Sequence, residues 1–188
     1  MALTIADFTD EQLIVEIREK NKELYSEVMR RYQTKLSHYL KKFFRSQDEL
    51  DDVLQETFIK AYKNLYGFDV DKKFSSWIYR IAHNEAVNYI KKNFKKTISL
   101  DETEWEIVDK KLDLHDQIDN KQLGERIQHG LVELKEKYRE PLILYFFEQK
   151  TYEEISDILH LPRNTVGILI MRGKIKLKEI LKYESSTK

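Results

Sequence analysis

The stretch that decides the fold is residues 151–171, TYEEISDILHLPRNTVGILIM. Thr151 and Glu154 fit a capping box, in which a hydroxyl and a side chain three residues later satisfy the free amides of a helix start. His160 follows the first helical pattern at a position suited to a turn, and Pro162 can open a second helix without losing a needed hydrogen bond. The pattern predicts a helix-turn-helix, in which a short turn holds two steeply crossed helices.

The side chains of this motif divide into an inward and an outward set. The inward set is expected to comprise Ile155, Ser156, Leu159, Leu161, Val166 and Leu169. Asn164 is expected to cap the second helix. The residues expected to face a DNA groove are Arg163, Asn164, Gly167, Ile168 and Met171. The basic run 172–178 favours contact with phosphates. A helical pair used only for packing, with a solvated basic end, is the alternative interpretation.

Helical patterns continue upstream of this motif. Capping boxes are predicted at residues 9–12 and 46–49, each followed by apolar residues at helical spacing. We expect an all-α chain with an N-terminal bundle of about four helices over residues 8–96. Residues 97–120 form an acidic, flexible linker with a short helical turn near 108–112. A second helical domain is expected over residues 121–183.

The formal net charge is zero, but the charges are distributed unevenly along the chain. Residues 72–96 contain seven basic residues against Glu85 alone, and residues 161–188 contain seven against two acidic ones. Residues 48–56 contain five carboxylates and neither Lys nor Arg. Separate basic and acidic patches predict separate partners for separate faces.

Several function classes are disfavoured by composition. The chain has no Cys, which excludes disulfides and thiolate metal sites. The five histidines, at positions 38, 83, 115, 129 and 160, lack metal-ligand spacing with one another. We therefore expect no catalytic residues, no metal and no cofactor. The start of the chain lacks a signal peptide pattern, and no apolar stretch approaches the roughly 20 residues of a membrane span. A soluble, cytoplasmic protein without membrane insertion is expected.

Two sets of motifs resemble one protein family. Residues 134–142 (LKEKYREPL), 151–159 and 162–166 (PRNTV) resemble the upstream-promoter-binding domain of bacterial sigma factors. Residues 51–62 (DDVLQETFIKAY) and 74–84 (FSSWIYRIAHN), with Tyr32 and Gln33, resemble the polymerase-binding and promoter-melting domain of the same family. A chain with only these two domains is similar to the extracytoplasmic-function (ECF) subfamily of the sigma-70 family.

The resemblance implies three sets of site residues. Polymerase binding, through the β′ clamp, is implied for Asp48, Glu49, Asp51, Asp52, Gln55 and Glu56. Melting at the −10 element is implied for Phe68, Asp69, Lys72, Lys73, Ser75, Trp77, Tyr79, Arg80, His83, Asn84, Asn88, Lys91 and Lys92. Binding of the −35 element is implied for Arg163, Asn164, Thr165, Gly167, Ile168, Met171, Arg172 and Lys174. The β flap of core RNA polymerase and an anti-sigma protein are further implied partners.

Each set has a competing explanation. Acidic residues are favoured in the first turn of any helix, which accounts for Asp48 and Glu49 without a partner. Leu54 and Phe58 are expected in the core, as are Ile81 and Val87, and Trp77 is expected in the core or as a wedge. Ile168 and Met171 offer no hydrogen bonds to bases but could contact thymine methyl groups, which predicts a T-rich or shape-read upstream element. Their facing a protein is the alternative.

The function expected from these features is that of a sigma factor that directs core RNA polymerase to promoters and nucleates melting. The alternative function is a stand-alone helix-turn-helix regulator, which leaves the acidic helix and the basic, aromatic helix without a role. A metal-dependent nuclease is disfavoured because no Asp, Glu and His cluster is apparent.

Overall fold

The structure is a computed structural model that describes residues 5–44, 46–94 and 121–186. Within these ranges the regular secondary structure is helical, which confirms the predicted all-α class. The helices are α1 (Asp10–Glu19), α2 (Tyr25–Leu40), α3 (Gln47–Lys63), α4 (Phe74–Phe94), α5 (Lys121–Glu133), α6 (Glu136–Phe146), α7 (Tyr152–Leu159) and α8 (Arg163–Ser186). Short 3-10 helices lie at Ile5–Asp7, Lys22–Leu24 and Leu65–Gly67.

The chain forms two compact units, with α1–α4 in the first and α5–α8 in the second. The predicted linker, 97–120, and its helical turn near 108–112 lie outside the described residues. None of the helices in the described ranges combines the length and the apolar character needed to cross a bilayer.

Helix starts follow the predicted caps in two of three cases. The Thr9 hydroxyl accepts from the amide of Gln12 at 3.2 Å, and the Gln12 side chain accepts from the amide of Thr9 at 3.0 Å. Thr151 and Glu154 make the same reciprocal pair. The box predicted at residues 46–49 is wrong, because the Ser46 hydroxyl accepts instead from Asp48, at 3.2 Å. Ser46 still caps α3, since one orphan amide of the helix start is satisfied.

In the first unit, α2, α3 and α4 pack against one another and α1 covers part of α2 and α4. Side chains of all four helices meet in a core that excludes water, including Leu13, Leu36, Leu50, Phe74 and Ile78. Each such side chain contributes about 1.5–3 kcal/mol of burial free energy. Leu54 and Phe58 belong to this core, as predicted.

The buried face of α4 differs from the predicted one. Ile81, Val87 and Trp77 are only half-buried, whereas the fully buried positions include Ile78 and Ala82. Because α4 contacts α1, α2 and α3, the neighbouring helices decide which part of its broad apolar surface is covered.

In the second unit, α8 packs against α5, α6 and α7. Gly173 permits the close approach of α6 and α8, because a Cβ atom there would lie 2.9 Å from Leu142 Cδ1 and 3.2 Å from the Tyr138 carbonyl oxygen. The buried positions of the helix-turn-helix are Ile155, Ile158, Val166 and Ile170. The predicted core residues Leu159, Leu161 and Leu169 are only half-buried, as is Ser156.

Candidate functional site

The turn of the helix-turn-helix is stabilised by Ser156 and His160. His160 adopts the left-handed conformation, with φ 53° and ψ 41°, and its amide donates to the Ser156 carbonyl oxygen. The Leu161 amide donates to the same carbonyl at 3.2 Å, and the Ser156 hydroxyl donates back to the Leu161 carbonyl at 2.5 Å. These bonds satisfy the last carbonyls of α7 and set the direction in which α8 leaves the turn.

The outer face of α8 is apolar at its centre and basic around it. Ile168 and Met171 are 46% and 55% exposed, and Asn164 lies four residues before Ile168 on the same exposed face. Asn164 is within the first turn, because the helix begins at Arg163, so the prediction that Asn164 caps α8 is wrong. Residues 163–178 contain five basic and no acidic residues.

Of the other five predicted residues of α8, two have side-chain partners, two are half-buried and one is exposed. Arg163 lies 3.1 Å from Glu153, through Nη1 and Oε1, and both side chains are largely exposed. Lys174 places its ammonium group over the Phe146 ring, 4.7 Å from the centroid. Thr165 and Gly167 are half-buried beside these groups, and Arg172 is exposed.

The acidic residues of α3 lie on one exposed face. Asp48, Asp51, Asp52 and Gln55 are exposed, while Glu49 and Glu56 are half-buried. The opposite face is buried and consists of Leu50, Val53, Leu54, Thr57, Phe58 and Ala61. The carboxylates are therefore available to a basic partner, because the helix turns its apolar side to the core.

An apolar groove between α2 and α3 adjoins this acidic face. It encloses about 580 Å³, and Asp51 and Gln55 of the acidic face are among its lining residues. Met29, Ile59 and Tyr62 line it too, with exposures of 42%, 37% and 41%. In the sequence, Met29 and Tyr62 fall within apolar stripes at helical spacing, which do not show that the two side chains are uncovered. A large apolar residue at the border of a stripe is the signal that could have found them.

The loop between α3 and α4 has an aromatic inner side and a charged outer side. Phe68 is 4% exposed, and its ring packs against Phe74 and Trp77 at centroid distances of 5.4 and 5.2 Å. Asp69, Lys72 and Lys73 are exposed. The core covers the ring of Phe68, so this ring is not available at the surface in this structure, and its role at the −10 element stays a prediction. Trp77 is half-buried.

The polar face of α4 is made from residues spaced by three or four. Asn84, Asn88, Lys91 and Lys92 are exposed, Arg80 is half-buried, and Ser75 is half-buried in the first turn. Tyr79 is 1% exposed and its ring packs on the Tyr39 ring at a centroid distance of 5.3 Å, so contact of its ring with DNA stays a prediction that this buried position does not favour. His83 is half-buried, with Nδ1 3.1 Å from the Tyr39 hydroxyl.

The described ranges contain no cluster of three His, Asp or Glu side chains arranged to hold a metal ion. The two surfaces of the first unit, one acidic with a groove and one basic, instead suit a macromolecular partner each.

Comparison with known proteins gives matches in both units. A family model described as Sigma-70 region 2 matches residues 28–95, and one described as Sigma-70, region 4 matches residues 124–177. The ECF RNA polymerase sigma factor SigW of Bacillus subtilis is 30% identical over 178 residues, which cover 90% of this chain and 95% of that protein. The ECF RNA polymerase sigma-E factor of Haemophilus influenzae is 28% identical over 174 residues, 88% of this chain and 92% of that one.

Two solved structures share the fold. CnrH, in complex with the cytosolic domain of CnrY, matches with a TM-score of 0.68 at 22% identity, over 93% of this chain and 97% of that chain. The sigma factor RpoE of Bartonella quintana, in complex with the anti-sigma factor NepR, matches with a TM-score of 0.65 at 18% identity, over 84% and 96%.

Proposed function

The chain belongs to the ECF sigma factors of the sigma-70 family, and on that premise we propose which of its surfaces bind polymerase, open the promoter and read the upstream element. As a sigma factor, it directs core RNA polymerase to promoters and nucleates melting for transcription initiation. We assign polymerase binding and melting to residues 8–96, a connecting role to 97–120 and upstream binding to 121–183.

The polymerase-binding surface proposed here joins the acidic face of α3 to the apolar groove beside it. Carboxylates such as Asp51 and Asp52 steer a basic partner toward the surface and set its register. Met29, Ile59 and Tyr62 supply apolar area that loses water on contact, which is where most binding free energy of an interface concentrates. The partner is the β′ clamp of core polymerase. This assignment rests on the observation that the acidic face of α3 and the apolar groove between α2 and α3 adjoin each other.

The melting surface consists of the charged side of the α3–α4 loop and the polar face of α4. In this proposal Asp69, Lys72 and Lys73 border the extruded base, which is supported by their exposure, and Asn84 and Asn88 lie exposed along the helix that follows. Lys91 and Lys92 neutralise phosphates. Phe68, Trp77 and Tyr79 support this surface from beneath rather than stacking on bases, because the core holds their rings.

The upstream-binding surface is the outer face of α8. Ile168 and Met171 contact thymine methyl groups in the major groove, where the methyl distinguishes thymine from the other bases. The cations around them, such as Arg172, bind the phosphates that border the groove. Residues 163–178 contain no carboxylates, which supports DNA rather than a basic protein as the partner that binds this face of α8.

Four further assignments complete the proposal. An anti-sigma protein restrains the chain, which is supported by the complexes of CnrH with CnrY and of RpoE with NepR. The chain itself is not an enzyme, in keeping with a family whose members are generally not enzymes. It works in the cytoplasm, where the polymerase acts. Residues 121–183 contact a second part of core polymerase, the β flap.

Reconstitution with core polymerase tests this function directly. The purified chain is expected to co-purify stoichiometrically with core enzyme and to make it start at a defined site on a promoter. A stand-alone regulator, the alternative, would bind DNA without associating with core enzyme. That alternative is not favoured, because the region 2 match accounts for residues 28–95 and a regulator has no use for them.

A further inference from the structure

Helix α1 holds both ends of the loop that precedes α4. At one end, the Arg18 guanidinium donates to the Leu65 carbonyl oxygen through Nε at 3.0 Å and to the Phe68 carbonyl through Nη2 at 2.5 Å. At the other end, the Phe74 amide donates to the Glu11 carboxylate at 3.0 Å. Residues 69–73, which are exposed except for the half-buried Val70, lie between these two anchors.

The contact made by Glu11 supplies a cap that the local sequence lacks. Phe74 is the first residue of α4, so its amide has no partner within the helix. Lys73, which precedes it, carries a side chain that only donates hydrogen bonds and therefore offers the amide no acceptor. A carboxylate at this position makes a charge-assisted hydrogen bond and is favoured by the dipole at the helix N-terminus.

The contact made by Arg18 depends on the shape of the guanidinium. Its planar fork bridges two carbonyl oxygens that are three residues apart. One belongs to Leu65, at the start of the 3-10 helix Leu65–Gly67, and the other belongs to Phe68, the residue after this helix. The group also lies 5.9 Å from the Phe68 ring centroid, and the Tyr66 hydroxyl donates to the Arg18 carbonyl at 3.3 Å. A lysine keeps the charge but presents a single ammonium group, which does not reproduce a fork across two acceptors.

We infer that α1 is a clamp that positions the promoter-melting loop, with Arg18 and Glu11 as its two positioning residues. Capturing an extruded base offsets more of the free energy of unpairing when the capturing loop is already ordered, because no binding free energy is then spent on ordering it. The two anchors restrict residues 69–73 before DNA binds. Helix α1 lies outside residues 28–95, the stretch that the Sigma-70 region 2 model matches. The inference rests on the proposed melting surface.

The clamp is tested with Arg18→Lys and Glu11→Gln in the full chain bound to core polymerase. Lys20→Ala is the matched control, because Lys20 is a cation of the same segment that pairs with Glu16 on the surface. The rate of open-complex formation is measured on a duplex promoter and on the same promoter with mismatched strands over the −10 element. The affinity for core polymerase is measured alongside.

Arg18→Lys is expected to slow opening of the duplex promoter about tenfold. This loss is smaller than the roughly 100-fold loss of rate that a 1 Å misplacement of a reacting group can cause. The loss on the mismatched promoter is expected to be at most about twofold, because the strands are already unpaired there. Glu11→Gln, which keeps an oxygen acceptor, is expected to show the same asymmetry at smaller amplitude. The control and the affinity for core polymerase are expected to be unchanged.

A second measurement distinguishes positioning from general stabilisation. Single non-template bases of the −10 element are replaced by abasic sites, and the rate of open-complex formation is measured. The wild type should be slowed by an abasic site at one position, and the Arg18→Lys variant should be slowed less by the same site. Equal losses on both promoters, or equal abasic penalties in both proteins, overturn the clamp. If the wild type itself fails to open the duplex promoter with core enzyme, the proposed function fails instead.

Discussion

Lys60 on α3 and Glu85 on α4 form an ion pair across the first unit, with Nζ 2.6 Å from Oε2. Glu85 is the one acidic residue in residues 72–96, and its side chain is only 12% exposed. Lys60 also lies 3.9 Å from Glu56, a weaker contact on the acidic face. The pair therefore neutralises a carboxylate that would otherwise oppose phosphate binding on α4.

Replacing Lys60 by Ala is expected to destabilise the first unit by about 1–2 kcal/mol, because a largely buried carboxylate loses its charged partner. Promoter affinity should also fall, since the negative charge of Glu85 is no longer compensated beside the DNA surface. Urea unfolding and promoter binding measure the two effects. Glu85→Gln in the Lys60→Ala background should restore both, and a failure to restore promoter affinity contradicts the electrostatic explanation.

Reversing the charges of Asp51, Asp52 and Glu56 to Lys is expected to abolish binding to core polymerase without unfolding the chain. The three side chains lie on the outer face of α3, so the core is unaffected, and the new charges repel a basic partner. Co-purification and circular dichroism measure the two results. Reversal of Glu19 and Glu23, exposed residues away from α3, serves as the control and should leave binding unchanged.

The groove contributes to the same interface in a different way. Ile59→Ala should weaken polymerase binding by roughly tenfold, from about 1–2 kcal/mol of lost apolar burial, and the loss should be insensitive to salt. The loss caused by the charge reversals should instead diminish as salt rises. Unchanged affinity for Ile59→Ala would remove the groove from the interface.

Replacing Lys91 and Lys92 by Ala is expected to weaken open complexes and to flatten their salt dependence. Each phosphate contact contributes about 0.7–0.9 to the slope of log affinity against log salt concentration, so the slope should fall by about 1.4–1.8 if both lysines bind phosphates. The slope is obtained by measuring affinity at salt concentrations between about 50 and 200 mM, over which such contacts change the affinity strongly. An unaltered slope would mean that these lysines do not touch phosphate.

Substituting uracil for thymine in the upstream element is expected to weaken binding about fourfold for each methyl group that Ile168 or Met171 contacts. The estimate corresponds to about 0.8 kcal/mol for one buried methyl-sized group. In an Ile168→Ala, Met171→Ala double variant the same uracil substitutions should have no further effect. Equal penalties in both proteins would favour the alternative, in which this face of α8 binds a protein.

Two glycines of α8 are expected to respond in opposite directions to replacement by Ala. At Gly167 a Cβ atom would lie 3.5 Å from the Tyr152 ring, an ordinary contact, so Gly167→Ala should stabilise by up to about 1 kcal/mol of helix propensity. At Gly173 a Cβ atom would press on Leu142 and the Tyr138 carbonyl, so Gly173→Ala should destabilise by about 1–3 kcal/mol. Thermal unfolding of the full chain compares them, and a stabilising Gly173→Ala would contradict the close approach of α6 and α8.

Local patterns carried much of the fold and part of the site. The hydroxyl of Thr151 and the carboxylate of Glu154 are three residues apart, so their reciprocal hydrogen bonds follow from short-range geometry and were predictable. His160 was expected in the turn for the same reason. Ser46 shows the limit of such patterns. A capping side chain can accept from the second or the third amide of the helix, and the Ser46 hydroxyl accepts from the second, that of Asp48.

Residue order alone predicts that the chain is helical, where its charged faces lie and which family it resembles, because helical spacing, caps and motifs are properties of neighbouring residues. The packing of the helices, in contrast, establishes that Phe68 and Tyr79 are covered and that Met29 and Tyr62 are not. It also placed Arg18 against carbonyls 47 and 50 residues away. Which part of an apolar surface is buried depends on the helices packed against it, and no local pattern specifies those contacts.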